Sequence, residues 1–374
     1  MPKPAILPPT HESLTKLSAI GGDDRCVLTV YFAGSKTRPK KGATKLVDLA
    51  ERLLKPDEFT DDEREHLKKS LELWRASIPQ VDLPEAEAWM GVVSWLTEDA
   101  AFVQLPAAVT DAAYLDNSPY LLTAALQLDD YEAYAVVYAD HMRARVYLAA
   151  LGALVEEGRL RGDIKNHVRK GGWSQQRYER RRDKEIHHYC KAIVEKLKVL
   201  MDEEGLRRVV LAGDRLLLKE LEERMPHTMR EGVVCRLPME DKKDAREVFR
   251  ETLAAAAEEE GREEKRLLAA ISTAHASGGR AVVGAPDTLK ALGERRVHHL
   301  LIGPMKGVEV TRCRSCGHVA LEQFDVCPKC GSRDTYEQSA ANELLDMAFA
   351  GGSRVELSED ALSEIGGVGA LLRW

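Results

Sequence analysis

Four cysteines in two tight pairs constrain this chain more than any other feature: Cys313-Arg314-Ser315-Cys316-Gly317 and Cys327-Pro328-Lys329-Cys330-Gly331. Two residues between paired cysteines let both sulfurs of one turn reach a single tetrahedral ion, and the ten-residue gap between the pairs suits a zinc ribbon. A glycine after each pair tolerates the positive φ that such a turn adopts, and leaves backbone N–H groups free to point at thiolates. The spacing predicts a metal site of Cys313, Cys316, Cys327 and Cys330, with zinc preferred over iron. Four sulfurs close the coordination shell, so the expected ion is structural, and His318 beside the first pair is expected at the surface. The surrounding fold must then admit an insert, about residues 308–336, that is too small to have its own core.

Cys26, Cys190 and Cys235 are scattered singly, which is not the layout of a disulfide framework, and they read as buried thiols. Met1 to Pro9 carries four prolines and one lysine but no apolar core of a secretory signal, and no apolar run reaches the ~18 residues of a membrane span. A cytoplasmic protein is expected. At 374 residues the chain exceeds the usual size of one hydrophobic core.

Hydrophobic patterning divides it into three segments. In the first, residues 1–128, Cys26 to Phe32 reads as a strand and Ser35 to Lys45 as a basic loop. Thr60 caps a helix running to Ile78, with Asp61, Asp62 and Glu63 in its first turn. In the second, residues 129–238, Tyr134 to Tyr138 and Arg143 to Leu148 flank a turn and predict a hairpin. A glycine loop follows, then a long helix with Ile186, Cys190, Ile193, Leu197 and Leu200 on one face. Val209 to Leu211 is a buried strand ending at Asp214. The third segment, residues 239–374, opens with a charged helical stretch, Asp241 to His275, whose acidic run reads as a solvated face. Strands at Ala281 to Gly284 and Val297 to Ile302 bracket a helix from Asp287 to Leu292. After the cysteine insert come a helix from Leu344, a strand at Ser353 to Leu357, another helix and a final apolar run. The expected class is multidomain α/β, three α/β domains with the metal insert in the third.

Net charge is −7, but its distribution matters more than its sum. Arg159 to Lys184 holds ten basic residues against Asp163, Glu179 and Asp183, giving +7 there and −14 over the remainder. Within it lies Lys170-Gly171-Gly172-Trp173-Ser174-Gln175-Gln176-Arg177. The glycines permit a sharp bend, and Ser174 is a candidate N-cap. Trp173 either belongs to the probe or staples against Tyr178. Arg177, Arg181, Lys184 and His188 share one helical face, which suits a phosphate backbone or is simply a solvated basic face.

Gly171-Gly172-Trp173-Ser174-Gln175-Gln176-Arg177-Tyr178-Glu179-Arg180 resembles the tip of eukaryotic and archaeal class-I release factors, which present Gly-Gly-Gln, then Ser-x-x-Arg-aromatic-x-Arg and a long helix. The ending Gly366-Gly367-Val368-Gly369-Ala370-Leu371-Leu372-Arg373-Trp374 is similar to the end of that family's third domain. The stretches Asp287 to Leu292 and Leu300 to Ile302 also resemble that domain. The sequence is identified as a member of the release-factor and pelota superfamily, in the bacterial, Balon-like branch. That resemblance implies three α/β domains in a release-factor-like arrangement and a factor bound at the ribosomal A site, with the loop reaching toward the peptidyl-transferase centre. It further implies contact with ribosomal RNA through Gly171, Gly172, Trp173, Ser174, Gln175, Arg177, Arg180, Arg181 and Lys184. Transfer RNA and a translational GTPase such as elongation factor Tu are the further partners it implies.

Two departures shape the expected activity. The first segment lacks an Asn-Ile-Lys-Ser sequence, so ribosome hibernation or a stalling response is expected rather than stop-codon termination. Trp173 stands where the family has its glutamine, and an indole offers one donor and no acceptor. Gln175, two residues later, is the alternative: a ribosome-dependent peptidyl-tRNA hydrolase using that amide. A free-standing RNA-binding scaffold is the third reading. Asp140 and Asp214, at two strand ends, are expected to form turns rather than a nuclease site.

Overall fold

The run Val27–Ala33 is apolar at nearly every position, so it belongs in the middle of a sheet covered on both faces. The computed structural model describes residues 4–22, 24–34, 42–54, 59–130, 133–150, 153–161, 173–239, 245–305 and 307–374. In it the first sheet joins β1 (Ala5–Leu7), β2 (Val27–Ala33), β3 (Ala88–Ser94), β4 (Asp99–Leu105) and β5 (Ala112–Asp116) in the order β1-β4-β3-β2-β5. Only β1 and β4 run parallel. Leu28, Val30 and Phe32 face α2 (Gly42–Leu53) and α3 (Asp61–Ser77), while Val27 and Tyr31 pack with Leu14 and Leu17 of α1 (His11–Ser18) and with α4 (Leu122–Asp130).

The expected cap forms at α3: Thr60 Oγ1 accepts from the Glu63 N–H, and the Glu63 carboxylate accepts from the Thr60 N–H at 2.8 Å. Trp74 of α3 lies flat enough on the sheet that a Cβ at Gly91 would fall 2.5 Å from its ring, so glycine is required there. Strands β3, β4 and β5 are additions to the sequence reading, which found one strand in this segment. Ala-Trp-Met-Gly-Val-Val-Ser mixes strand-favouring Trp and Val with Ala and Gly, and its neighbours on both sides complete the strand.

The second sheet orders β6 (Tyr134–Ala139), β7 (Arg143–Ala150), β8 (Ala153–Arg161), β9 (Val209–Gly213) and β10 (Val233–Pro238) as β10-β9-β6-β7-β8. The predicted hairpin is β6–β7, with Val137 opposite Val146. It extends into β8, of which the sequence reading named only the last residues, from Arg159, as the start of the basic segment. The apolar stripe of α5 (Trp173–Glu204), including Cys190, Ile193, Leu197 and Leu200, packs with α6 (Arg215–Arg224) and α7 (His227–Glu231) against one face. The first half of α8 (Ala245–Ala276) packs Val248 and Ala256 on the other.

In the last segment α9 (Ala285–Gly293) and β11 (Ala281–Val283) lead to β12 (Val297–Ile302), then to the cysteine insert of β13 (Glu309–Cys313), β14 (Val319–Ala320) and β15 (Thr335–Ser339). The insert is a three-stranded antiparallel sheet in the order β14-β13-β15. After α10 (Ala340–Ala350), β16 (Arg354–Leu357) and β17 (Val368–Leu372) complete a sheet ordered β11-β17-β12-β16. The helix expected between those last strands is one turn of 3₁₀ helix, Ser363–Ile365, since the glycine pair that follows turns the chain with positive φ.

The chain forms two compact units, residues 1–130 with 264–374, and residues 131–263. One apolar cluster explains the first: Tyr31 and Met90 share it with Leu289, Leu344 and Val368. Among the described residues, no helix is long and apolar enough to cross a membrane.

Candidate metal centre and candidate nucleic-acid interface

The four cysteines converge. One sulfur from each of Cys313, Cys316, Cys327 and Cys330 lies within 4.8 Å of all the others. Cys313 Sγ and Cys330 Sγ are 3.6 Å apart, as are Cys316 Sγ and Cys327 Sγ. A tetrahedral ion with bonds of about 2.3 Å to sulfur sets its ligands about 3.8 Å apart, so the spacing fits zinc.

The two halves are built alike. Gly317 N–H donates to Cys313 O and Gly331 N–H to Cys327 O, both at 2.9 Å. Gly317 and Gly331 adopt φ of 68° and 76°. Cys313 N–H donates to His318 O, and Cys327 N–H to Ser332 O. Desolvation works against the Cys327 thiolate, yet the backbone at Cys330 and Lys329 draws the thiol down to about 7. Cys330 goes the other way: the backbone at Ser332 favours its thiolate, but the neighbouring cysteine sulfurs push it up to about 12. Four thiolates so close together need a cation between them, and a bound dication would supply it. His318 packs beside Phe324, its ring centre 5.7 Å away, half-buried and outside the sulfur cluster.

Sequence spacing did not reveal what surrounds this module. Arg314, between the first pair of cysteines, donates to Glu63 Oε1 at 2.7 Å, to Asp334 Oδ1 at 2.7 Å and to Thr335 O at 3.0 Å. Arg25 reaches the same Glu63 oxygen at 3.3 Å. Both guanidiniums lie near the Tyr336 ring, Arg314 at 4.7 Å and Arg25 at 4.9 Å from its centre. Its hydroxyl is 3.0 Å from the Asn117 side-chain amide. Arg312 pairs with the buried Glu343 at 2.8 Å. Asn342 Oδ1 accepts from the N–H groups of Leu121 and Leu122, capping α4. Burial raises the Glu63 carboxyl, but Thr60, Arg314 and Arg25 together hold it below its usual range. The metal module thus sits in a network that ties residues before 130 to residues after 300. An arginine between two ligand cysteines, with a capping-box glutamate far upstream, was a faint signal at best.

The second candidate region is less fully described. Gly171 and Gly172 lie outside the described residues. For Trp173, Ser174, Gln175 and Arg177 the structure gives helical backbone only: α5 starts at Trp173, so Ser174 is in the first turn rather than ahead of it. Arg180, Arg181 and Lys184 are exposed on the same helix. Arg181 meets Glu185 at 3.1 Å but stays 72% exposed, so this contact leaves its guanidinium facing water. Asp140 and Asp214 do form turns. Asp140 Oδ1 accepts from the N–H groups of Met142 and Arg143, and Asp214 caps α6 through Leu216 and Leu217. Burial raises Cys190 and Cys235 to about 11, which keeps them protonated packing groups.

Residues 119–257, which contain this basic region, match the family model of bacterial archaeo-eukaryotic release factor family 10. That match makes the chain similar to release factors of the archaeo-eukaryotic type over well under half of its length. It is 26% identical to peptide chain release factor subunit 1 of Thermococcus kodakarensis over 277 residues, covering 65% of this chain and 66% of that protein. The match to the Thermococcus onnurineus protein is 25% with the same coverage. The chain thus spans just under two thirds of these relatives' length. Among solved structures it is similar to the archaeal termination factor aRF1, at 15% identity and a TM-score of 0.27 over 99% of each chain. It is also similar to Dom34 of S. cerevisiae, described as a termination-like factor of RNA quality control interacting with Hbs1. That likeness is 12% identical, covers 77% of this chain and 79% of Dom34, and has a TM-score of 0.44.

Proposed function

We propose that this protein is a ribosome-binding translation factor of release-factor type. It occupies the A site and directs the basic segment around Gly171 and Gly172 toward the peptidyl-transferase centre. The observation that carries the reading is the family match over residues 119–257, the part of the chain that holds the ten-residue concentration of basic side chains. The solvent-facing Arg180, Arg181 and Lys184 support it, because exposed guanidinium and ammonium groups release counterions from phosphate on binding. Its role is ribosome hibernation or a response to stalling rather than stop-codon termination, since Trp173 stands at the position of the family's glutamine. Zinc held by Cys313, Cys316, Cys327 and Cys330 supplies no chemistry to substrate; it holds the insert that Arg314 joins to Glu63. Transfer RNA and a translational GTPase complete the proposed setting.

Co-sedimentation with ribosomes tests this reading. Trp173→Ala should weaken binding while Gln175→Ala leaves it unchanged, and neither should alter release of peptide from loaded ribosomes. If the wild type releases peptide and Gln175→Ala alone stops it at unchanged binding, the protein is a hydrolase and the occupying role is wrong. A wild type that does not sediment with ribosomes ends both.

A further inference from the structure

Strands β7 and β8 set arginine opposite arginine: Arg143 faces Arg161, and Arg145 faces Arg159. Residues paired across an antiparallel ladder project from the same face. The alternate positions Ala144, Val146 and Leu160 pack into the core under α5, so all four arginines stand on the opposite face, with Tyr138 and Tyr147. Like charges directly opposite one another destabilise a sheet, so this arrangement calls for anions. Among the described residues two carboxylates meet them. Asp140 meets Arg143 Nε at 3.1 Å but already accepts two backbone N–H groups, and Glu156 lies between Arg145, at 3.8 Å, and Arg159. Glu157, the extra residue of the bulge, is left out of the ladder. Arg159 is 74% exposed on the edge strand, and Arg161 is exposed beside it.

We propose that this arginine ladder binds the phosphate backbone of RNA, as a contact surface additional to the basic start of α5. The ribosomal setting of that RNA rests on the function proposed above. A guanidinium offers five donors in a planar fork that matches phosphate oxygens two at a time, and those of Arg159 and Arg161 stand at the exposed edge. Arginines two residues apart on one strand repeat about every 6.7 Å, which suits a chain of regularly spaced phosphates better than a single anion. In a chain of net charge −7, Arg159 and Arg161 also open the Arg159 to Lys184 stretch, where ten basic residues stand against three acidic ones.

Two charge changes of opposite sign test the ladder in the full-length protein. Binding is measured against salt concentration with two probes, purified ribosomes and a plain RNA duplex. The double variant Arg159→Gln, Arg161→Gln should flatten the dependence of log affinity on log salt by about one per arginine removed. Glu156→Gln, which frees Arg145 and Arg159, should tighten binding and steepen that dependence. A merely structural role for these side chains would not give opposite signs. If both variants keep wild-type affinity and salt dependence on both probes, or if the wild type binds neither, the ladder is not an RNA surface. Loss of polyglutamate binding without loss of RNA binding assigns it to an acidic protein and overturns the proposal. Response on the duplex with no ribosome binding by the wild type keeps the ladder and removes only the ribosomal reading.

Discussion

The cysteine module and the start of α5 are both rich in arginine, and they use it in opposite ways. Around the module Arg25, Arg312 and Arg314 are largely withdrawn from solvent and face Glu63, Glu343 and Asp334 across 2.7 to 3.3 Å. Along α5, Arg180, Arg181 and Lys184 stay in water. A buried charge that keeps its partner holds two parts of a chain in register, and losing the partner leaves an uncompensated ion in a poor solvent. An exposed charge contributes almost nothing to folding and remains free for another molecule. The same residue type therefore serves architecture in one region and, under the function proposed above, recognition in the other.

That contrast can be broken first at the metal. Removing zinc with a chelator, or replacing Cys327 with Ser, should give the largest loss. Structural zinc contributes on the order of 10 kcal/mol to small modules, and here the insert also carries Arg314 to Glu63. Elemental analysis should find one zinc per wild-type chain, and thermal unfolding should shift strongly downward in the variant. An unchanged transition in metal-free protein would show that the network stands without the ion.

Next in size is Glu63→Ala, which strips two guanidiniums of their shared partner and undoes the cap of α3. A loss of roughly 3 kcal/mol is expected in urea unfolding, the scale of breaking one side of a buried pair. Because the Glu63 carboxyl is held below its usual range, its contribution is complete above pH 4.5 and disappears as pH falls through the lowered folded value. The wild type should therefore lose stability in acid, and a Glu63→Gln protein should lack that component of the loss.

Asp346 sharpens the comparison with a carboxyl of the opposite kind. Burial and the nearby Glu343 raise it to about 7, and its Oδ1 is sealed from solvent without a hydrogen-bond partner. Between its ordinary value of 3.8 and about 7 the folded state binds more proton than the unfolded one, so this group makes stability fall as pH rises. Asp346→Asn should accordingly stabilise the protein more at pH 8 than at pH 5, read from urea midpoints. Equal midpoint shifts at both pH values would place the charge elsewhere.

The smallest effect on folding belongs to α5. Arg180→Gln with Arg181→Gln should move stability by less than about 0.5 kcal/mol. The same pair should flatten the salt dependence of ribosome binding by about two. A marked fall in melting temperature would mean that these arginines serve the fold after all.

Much of this architecture was legible in the residues. Val297–Ile302 and Val27–Ala33 announced strands by their mainly apolar, β-branched and aromatic residues, Thr60 and Glu63 announced a helix start, and Cys190, Ile193 and Leu197 traced a buried helical face. Strands β3, β4 and β8 were not legible, because alanine, glycine, glutamate and arginine become strand residues only when neighbouring strands and covering helices accept them.

By itself the sequence determined which four sulfurs converge, since two-residue spacing in a tight turn has few other uses, and it determined where positive charge collects. Only the tertiary structure decided what each charge does. Arg314 and Arg181 are indistinguishable as letters, yet one meets a glutamate 251 residues away in a buried network and the other meets a glutamate one helical turn away while staying in solvent. Distance along the chain carries no record of which groups desolvate one another; packing sets that, and packing exists only once the sheets have assembled.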